Sequence, residues 1–69
     1  MVNTNKLLGK IKENGISVSD LAKRLGVSRP TITAKIQNKR SFTIDEMVAI
    51  RNELELSADD CKTIFFVPN

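Results

Sequence analysis

The sequence repeats one short pattern that marks the beginning of a helix. The segments ISVSDL, FTIDEM and LSADDC each place an apolar residue before a serine or threonine, with an acidic residue three positions after that hydroxyl. The hydroxyl can accept a hydrogen bond from a backbone N–H of the first turn, and the acid can bond back to the cap residue. Asp is shorter than Glu, so we expect the two boxes that carry Asp to be imperfect. The pattern predicts several short, capped helices.

Two further segments, VNTNKL and VSRPTI, have the same apolar and cap positions but lack the acid. Apolar residues between these starts recur at helical spacing, and Asn14-Gly15 and Gly26 are typical helix stops. No alternation typical of strands is present. We therefore expect an all-α fold, a compact five-helix bundle, with helices at 4–13, 18–25, 29–37, 44–54 and 58–65.

Length and composition indicate a small folded protein. Sixty-nine residues suit a single domain over residues 1–69, and 41% hydrophobic residues suit a packed core. The longest apolar run, residues 64–67, is far shorter than a membrane span, and no secretory signal opens the chain. A single Cys cannot form an internal disulfide. We expect a cytoplasmic protein with no membrane partner.

Charge is distributed unevenly along the chain. Residues 1–40 carry nine Lys or Arg and two acids, a net +7, whereas residues 41–69 carry two and six, a net −4, which together give the total of +3. A basic first half and an acidic second half favour a surface that faces a polyanion. The alternative is that the basic residues only keep a small domain in solution.

The residues needed for common enzymatic sites are missing from the sequence. It has no His and one Cys, which excludes Cys-His catalysis and zinc fingers, and it has no Gly-rich phosphate loop. The paired acids 45–46 and 59–60 fall in first helical turns, where capping explains them. We expect neither an enzyme nor a cofactor, metal or small-molecule substrate. Cys61, on an apolar helix face, is interpreted as a buried inert thiol, with a redox sensor as the alternative.

The third helix start differs from most of the others, because Thr31 stands where the acid would be and Arg29 and Pro30 precede it. An acid in a first turn contributes a few tenths to about 1 kcal/mol of stability. Its omission makes sense if an external anion, such as a phosphate or a base edge, approaches this end of the helix. The alternative is that Thr31 is a neutral substitution.

Residues 18–36, VSDLAKRLGVSRPTITAKI, combine a short helix, a tight turn at Gly26 and a second helix. Ala22, four residues before Gly26, is small enough to let the second helix cross closely. With the run DLAKRLGVSR and the later NKRSFTIDEM, the chain resembles the lambda-repressor/Cro-like helix-turn-helix family, especially small phage and prophage regulators, over about residues 4–65. The resemblance implies double-stranded DNA binding, as a dimer on an inverted-repeat operator, with helix 3 in the major groove.

The resemblance also implies roles for individual residues. Arg29 is the strongest candidate for reading a base, because its guanidinium can bond guanine O6 and N7 together. The implied base contacts are Arg29, Pro30, Thr31, Thr33 and Ala34. The implied phosphate contacts are Ser17, Ser19, Ser28, Lys35, Asn38, Lys39, Arg40 and Thr43.

Two positions depart from the family's pattern. Lys35 stands where the family commonly has a core residue, so helix 3 could be rotated or could begin at Pro30 rather than Arg29. The usual Asn-Gly after helix 3 is replaced by Asn38-Lys39, so this turn needs a solution without glycine.

The C-terminal apolar run raises the question of dimerisation. Phe65, Phe66 and Val67 cannot all face one small core, so we expect one Phe to be buried and the other to lie near the surface. Phe66 and Val67 would then form a dimer contact or a lid on the domain's own core. We expect a dimer in free solution to be weak and two chains to associate when they bind DNA.

The leading hypothesis from sequence is a sequence-specific transcriptional regulator, of the Cro-type phage or prophage repressor kind. The alternative is a helix-turn-helix domain that binds a protein partner, as an antirepressor would. An RNA-binding module is disfavoured by the absence of Tyr and Trp.

Overall fold

The computed structural model describes residues 1–66, which contain five α-helices and no strand. The predicted all-α, five-helix architecture is confirmed, with one boundary shifted: helix 3 ends at residue 36 and Gln37 is its C-cap. No helix within residues 1–66 has the length and apolar character needed to span a membrane. The helices are α1 (Thr4–Glu13), α2 (Val18–Leu25), α3 (Arg29–Ile36), α4 (Ile44–Leu54) and α5 (Ala58–Phe65).

Every helix begins at the cap predicted from sequence, and the three capping boxes are complete. The backbone N–H of Thr43 donates to the Glu46 carboxylate at 2.8 Å. The two boxes that carry Asp also close, at 2.9 Å from Ser17 to Asp20 and 3.2 Å from Ser57 to Asp60. The expectation that these boxes would be imperfect is therefore wrong: the backbone brings the cap close enough for the shorter side chain.

The turns after α2, α3 and α4 end each helix with a residue in the left-handed conformation. Gly26 adopts it at φ 72°, and the next residue, Val27, donates its N–H to the Ala22 carbonyl at 3.0 Å. Asn38 (φ 63°) and Glu55 (φ 52°) adopt the same conformation without being glycine. The turn after α3 thus uses Asn, which tolerates left-handed dihedrals better than most residues.

The core is one cluster to which all five helices contribute. α2 lies at its centre and packs against α1, α3 and α4. Phe42 packs edge-on against Phe65, with ring centroids 5.8 Å apart. Phe65 is buried while Phe66 is 65% exposed, so the expectation that one Phe is buried and the other exposed is confirmed. Cys61 is partly buried against the core.

The N-terminal segment is held against the ends of α3 and α5. The Asn3 N–H donates to the Ile64 carbonyl at 2.7 Å. The Asn38 side chain accepts from the Val2 N–H at 2.6 Å and donates to the Val2 carbonyl at 2.9 Å. The Thr4 hydroxyl donates to the Ile36 carbonyl at 2.6 Å. These bonds fix the C-terminal end of α3 relative to α1.

Candidate nucleic-acid interface

α2 and α3 are joined by a turn of three residues and cross closely. Ala22, 2% exposed, lies at the crossing, and Leu21 and Ile32 are fully buried beside it. The bond from the Val27 N–H to the Ala22 carbonyl fixes the direction in which the chain leaves α2. One side of α3 therefore packs against the core, and the opposite side faces outward.

The outward side of α3 carries five side chains that line a shallow groove with Lys39: Arg29, Pro30, Thr33, Ala34 and Gln37. Arg29 is the first helical residue, so the alternative start at Pro30 is wrong. Four of the five predicted base contacts lie on this face. Gln37 also lies there, although it is not among the predicted base contacts.

The first turn of α3 contains no acid, and its orphan N–H groups are only partly satisfied by the cap. Ser28 accepts from the Thr31 N–H at 3.3 Å, and its hydroxyl donates to the Thr31 hydroxyl at 2.8 Å. Thr31 lines neither of the two grooves beside α3 and turns toward its own cap. The N-terminal end of α3 therefore keeps the partial positive charge of the helix dipole, and Arg29 is exposed beside it.

A protein-family model described as Helix-turn-helix matches residues 10–61, about three quarters of the chain. The chain belongs to the lambda-repressor/Cro-like helix-turn-helix family. A search of the curated proteins finds no match to the sequence. The family is one of DNA-binding transcriptional regulators rather than enzymes, and the matched region includes α2, the turn and α3.

In this family member the basic and acidic halves of the sequence fold against each other. Lys10 lies 3.6 Å from Asp60, Arg24 lies 3.2 Å from Glu53, and Lys35 lies 2.7 Å from Glu46. Lys6 is also within 4.0 Å of Asp60. Four of the nine cations of residues 1–40 are therefore neutralised within the protein, so the sequence asymmetry overstates the charge available to a polyanion.

The cations that make no ion pair within residues 1–66 form a smaller set. Three of them, Arg29, Lys39 and Arg40, lie on α3 or immediately after it, and all three are exposed. The others are Lys12, Lys23, Arg51 and Lys62. Three of these seven cations therefore lie at α3 or in the loop that follows it, and the other four are spread over α1, α2, α4 and α5.

Lys35, predicted to contact phosphate, is instead part of the core. It is 7% exposed, and its Nζ donates to both carboxylate oxygens of Glu46 at 2.7 Å. It fills the place where the family commonly has an apolar residue, and Ile36 beside it is buried too. We therefore remove Lys35 from the predicted phosphate contacts, because reaching DNA would require breaking a nearly buried ion pair.

The ionisation of Glu46 is controlled by this pair. Burial raises the pKa of its carboxyl, but the hydrogen bonds from Lys35 and Thr43 outweigh burial, and the net pKa is below the ordinary value of 4.5. The backbone and side-chain hydrogen bonds of Ser17 and Ser57 likewise lower the pKa values of Asp20 and Asp60. All three acids are therefore ionised at neutral pH.

The remaining predicted phosphate contacts differ in whether their side chains still have a hydrogen-bond donor that is not used within the protein. Ser17 and Thr43 use their side-chain oxygens to accept from the N–H groups of Asp20 and Glu46, which leaves their hydroxyl protons available. Ser19 is half-buried. Asn38 already uses its amide on Val2, so a phosphate contact from this side chain would cost those bonds.

Two features of this region were missed by sequence reasoning. The Lys35–Glu46 pair could have been suspected, since a lysine at a core position needs a buried acid and Glu46 comes at the start of the next helix. Gln37 could have been found by extending the face of α3 by one more step of four residues from Arg29 and Thr33. Of the predicted dimer contacts, Phe66 is exposed and Val67 lies outside the described residues.

Proposed function

We propose that this chain is a Cro-type phage or prophage repressor, a single domain that reads the major groove of an inverted-repeat operator with α3. The observation that carries the proposal is the coincidence of three properties at α3: Arg29 is exposed at the start of the helix, no acid occupies that first turn, and Lys39, which makes no ion pair within residues 1–66, lines the same groove as Arg29. Both a base edge and a phosphate backbone are complementary to such a face.

Each proposed contact has a role set by its chemistry. Arg29 bonds guanine through two parallel N–H donors, while Thr33 and Ala34 present methyl groups to thymine methyls. Pro30 packs beside them, and Thr31 supports the cap more than it reads a base. Lys39 and Arg40 bind phosphates after α3, and the hydroxyls of Ser17, Ser19 and Thr43 add neutral phosphate contacts at helix starts. Ser28 adds such a contact when its hydroxyl turns from Thr31 to the phosphate.

Lys39→Ala tests the phosphate part of this proposal. Each phosphate neutralised by a cation contributes about 0.9 to the slope of log affinity against log salt. We expect Lys39→Ala to weaken binding to all duplex sequences alike and to reduce the slope by about 1. Fluorescence anisotropy over a salt series measures both quantities.

Lys62→Ala is the matched control, because it removes from α5 an exposed lysine that makes no ion pair within residues 1–66. We expect it to leave the slope unchanged. Equal slopes for Lys39→Ala and Lys62→Ala would contradict the assignment of Lys39. If the unmodified protein shows no salt-dependent binding, the proposed function fails and the protein-binding alternative replaces it.

The proposed dimer forms on DNA through the C-terminal end of α5. Phe66 is 65% exposed, so its ring does not cover the domain's own core and is available for a contact with a second copy. We expect Phe66→Ser to leave the fold intact and to reduce the amount of complex with two chains on an inverted repeat. Measurement of the complex mass by ultracentrifugation decides this, and an unchanged two-chain complex would contradict the contact.

A further inference from the structure

Two grooves flank the outward face of α3, and three side chains line both of them: Arg29, Thr33 and Gln37. One groove continues toward Lys39, and the other continues toward Thr4 and Leu8 of α1. A residue that lines both grooves lies on the ridge between them. The steps of four residues place the three side chains in one stripe along the helix.

Gln37 differs from its neighbours in having an unused amide. It is exposed, and its backbone N–H donates to the Thr33 carbonyl at 3.0 Å, while its side chain makes no hydrogen bond within residues 1–66. Lys35 is held by Glu46, and Asn38 is held by Val2. Gln37 is therefore the side chain at this end of α3 that keeps both a donor and an acceptor for a ligand.

We propose that Gln37 is a specificity-determining residue that reads an adenine in the major groove. The inference rests on the proposed function and adds a second base-reading position to it. A carboxamide matches adenine, because its oxygen accepts from N6 while its nitrogen donates to N7. A phosphate offers only acceptors, so it would bond the amide nitrogen of Gln37 and leave the amide oxygen without a partner.

The spacing along α3 predicts where that adenine lies. Gln37 lies eight positions after Arg29, a distance of about 12 Å along the helix axis. Base pairs stack at about 3.4 Å, so a helix parallel to the DNA axis would span three to four base pairs and an inclined helix fewer. The adenine therefore lies within about four base pairs of the guanine that Arg29 reads. Thr33 and Ala34 lie between Arg29 and Gln37 on α3, and their methyl groups contact the base pairs between the guanine and the adenine.

The experiment is site selection from random duplexes with the whole chain, carried out in parallel for the unmodified protein, Gln37→Ala and Gln37→Glu. The unmodified protein should select an adenine within about four base pairs of a guanine. Gln37→Ala should lose the preference at the adenine position alone, with about a 5- to 150-fold loss of affinity for the selected site. Gln37→Glu should prefer cytosine there, because a carboxylate accepts from the N4 amino group.

Asn52→Ala is the matched control, since it removes an exposed carboxamide from α4, and it should select the same sites as the unmodified protein. Circular dichroism verifies that all variants keep the helical fold. Unchanged selection by Gln37→Ala overturns the inference. So does a uniform loss of affinity with a reduced salt slope, which would make Gln37 a phosphate contact. Failure of the unmodified protein to bind DNA is a separate result that rejects the proposed function itself.

Discussion

Glu46→Gln is expected to lower the free energy of unfolding by about 3–5 kcal/mol, the range for removing one partner of a buried ion pair. The Lys35 and Glu46 side chains are only 9% and 15% exposed, so the variant leaves the Lys35 charge nearly buried without a counter-charge. Gln can still close the capping box with Thr43, which limits the effect to the lost charge. In a domain of this size the loss is a large part of the total stability. Urea denaturation followed by circular dichroism measures it.

Glu53→Gln makes the same chemical change in the exposed pair with Arg24, whose side chain is 45% exposed. We expect this control to cost less than about 1 kcal/mol. The double variant Lys35→Met/Glu46→Gln removes both charges and should recover most of the stability lost in Glu46→Gln. Equal losses in the free energy of unfolding for Glu46→Gln and Glu53→Gln would show that the Lys35–Glu46 pair stabilises the fold no more than an exposed ion pair does.

The same pair gives the stability a pH dependence with a definite sign. Because the pKa of Glu46 is lowered in the folded state, its contribution is complete above the ordinary carboxyl pKa of 4.5 and is lost as the pH falls through the lower, folded value. The unmodified protein should therefore lose stability faster than Glu46→Gln below pH 4.5. Asp20 and Asp60 act in the same direction in both proteins.

Arg29→Ala is expected to reduce affinity for the preferred operator by about 5- to 150-fold and to abolish the preference at one base pair. The physical reason is that the guanidinium supplies two donors in one plane, which a guanine edge matches. Arg29→Lys keeps the charge but not the fork, so it should restore binding to mixed-sequence DNA without restoring the base preference.

Arg51→Ala is the control for Arg29→Ala, because it removes an exposed arginine from α4 that bonds only to Asn52 within residues 1–66. Its base preferences should equal those of the unmodified protein. An Arg29→Ala variant that still selects the same base at every position would remove Arg29 from the base-reading set.

The positions of the helices could be predicted from sequence because their signals are local. Caps such as Ser17 and Thr43 satisfy the N–H groups of their own first turn, and Gly26 ends α2 through its own backbone. The apolar residue before each cap is also local, since it packs within a turn or two of its own helix. Distant contacts were not needed to place these elements.

The exposed charges could not be predicted in the same way. Whether the charges of Lys35 and Arg24 are paired or free depends on acids 11 and 29 positions away in the chain. A single sequence gives the net charge of each half but not the pairs formed when the halves fold together. The left-handed turn at Asn38 and its bonds to Val2 also join distant segments, so a side chain that resembled a phosphate contact proved to hold the N-terminus.

The proposed function requires that the outward face of α3 binds duplex DNA. This can be tested by titrating the ¹⁵N-labelled protein with a short mixed-sequence duplex at low salt and following the backbone amide signals. The proposed interface predicts that the shifts concentrate in residues 28–40, with smaller shifts at residues 17–19 and 43, leave the amides of residues 47–54 in α4 nearly unchanged, and disappear as salt is raised. Shifts centred on α4 or α5, or no shifts at all with a duplex in excess, would contradict the claim.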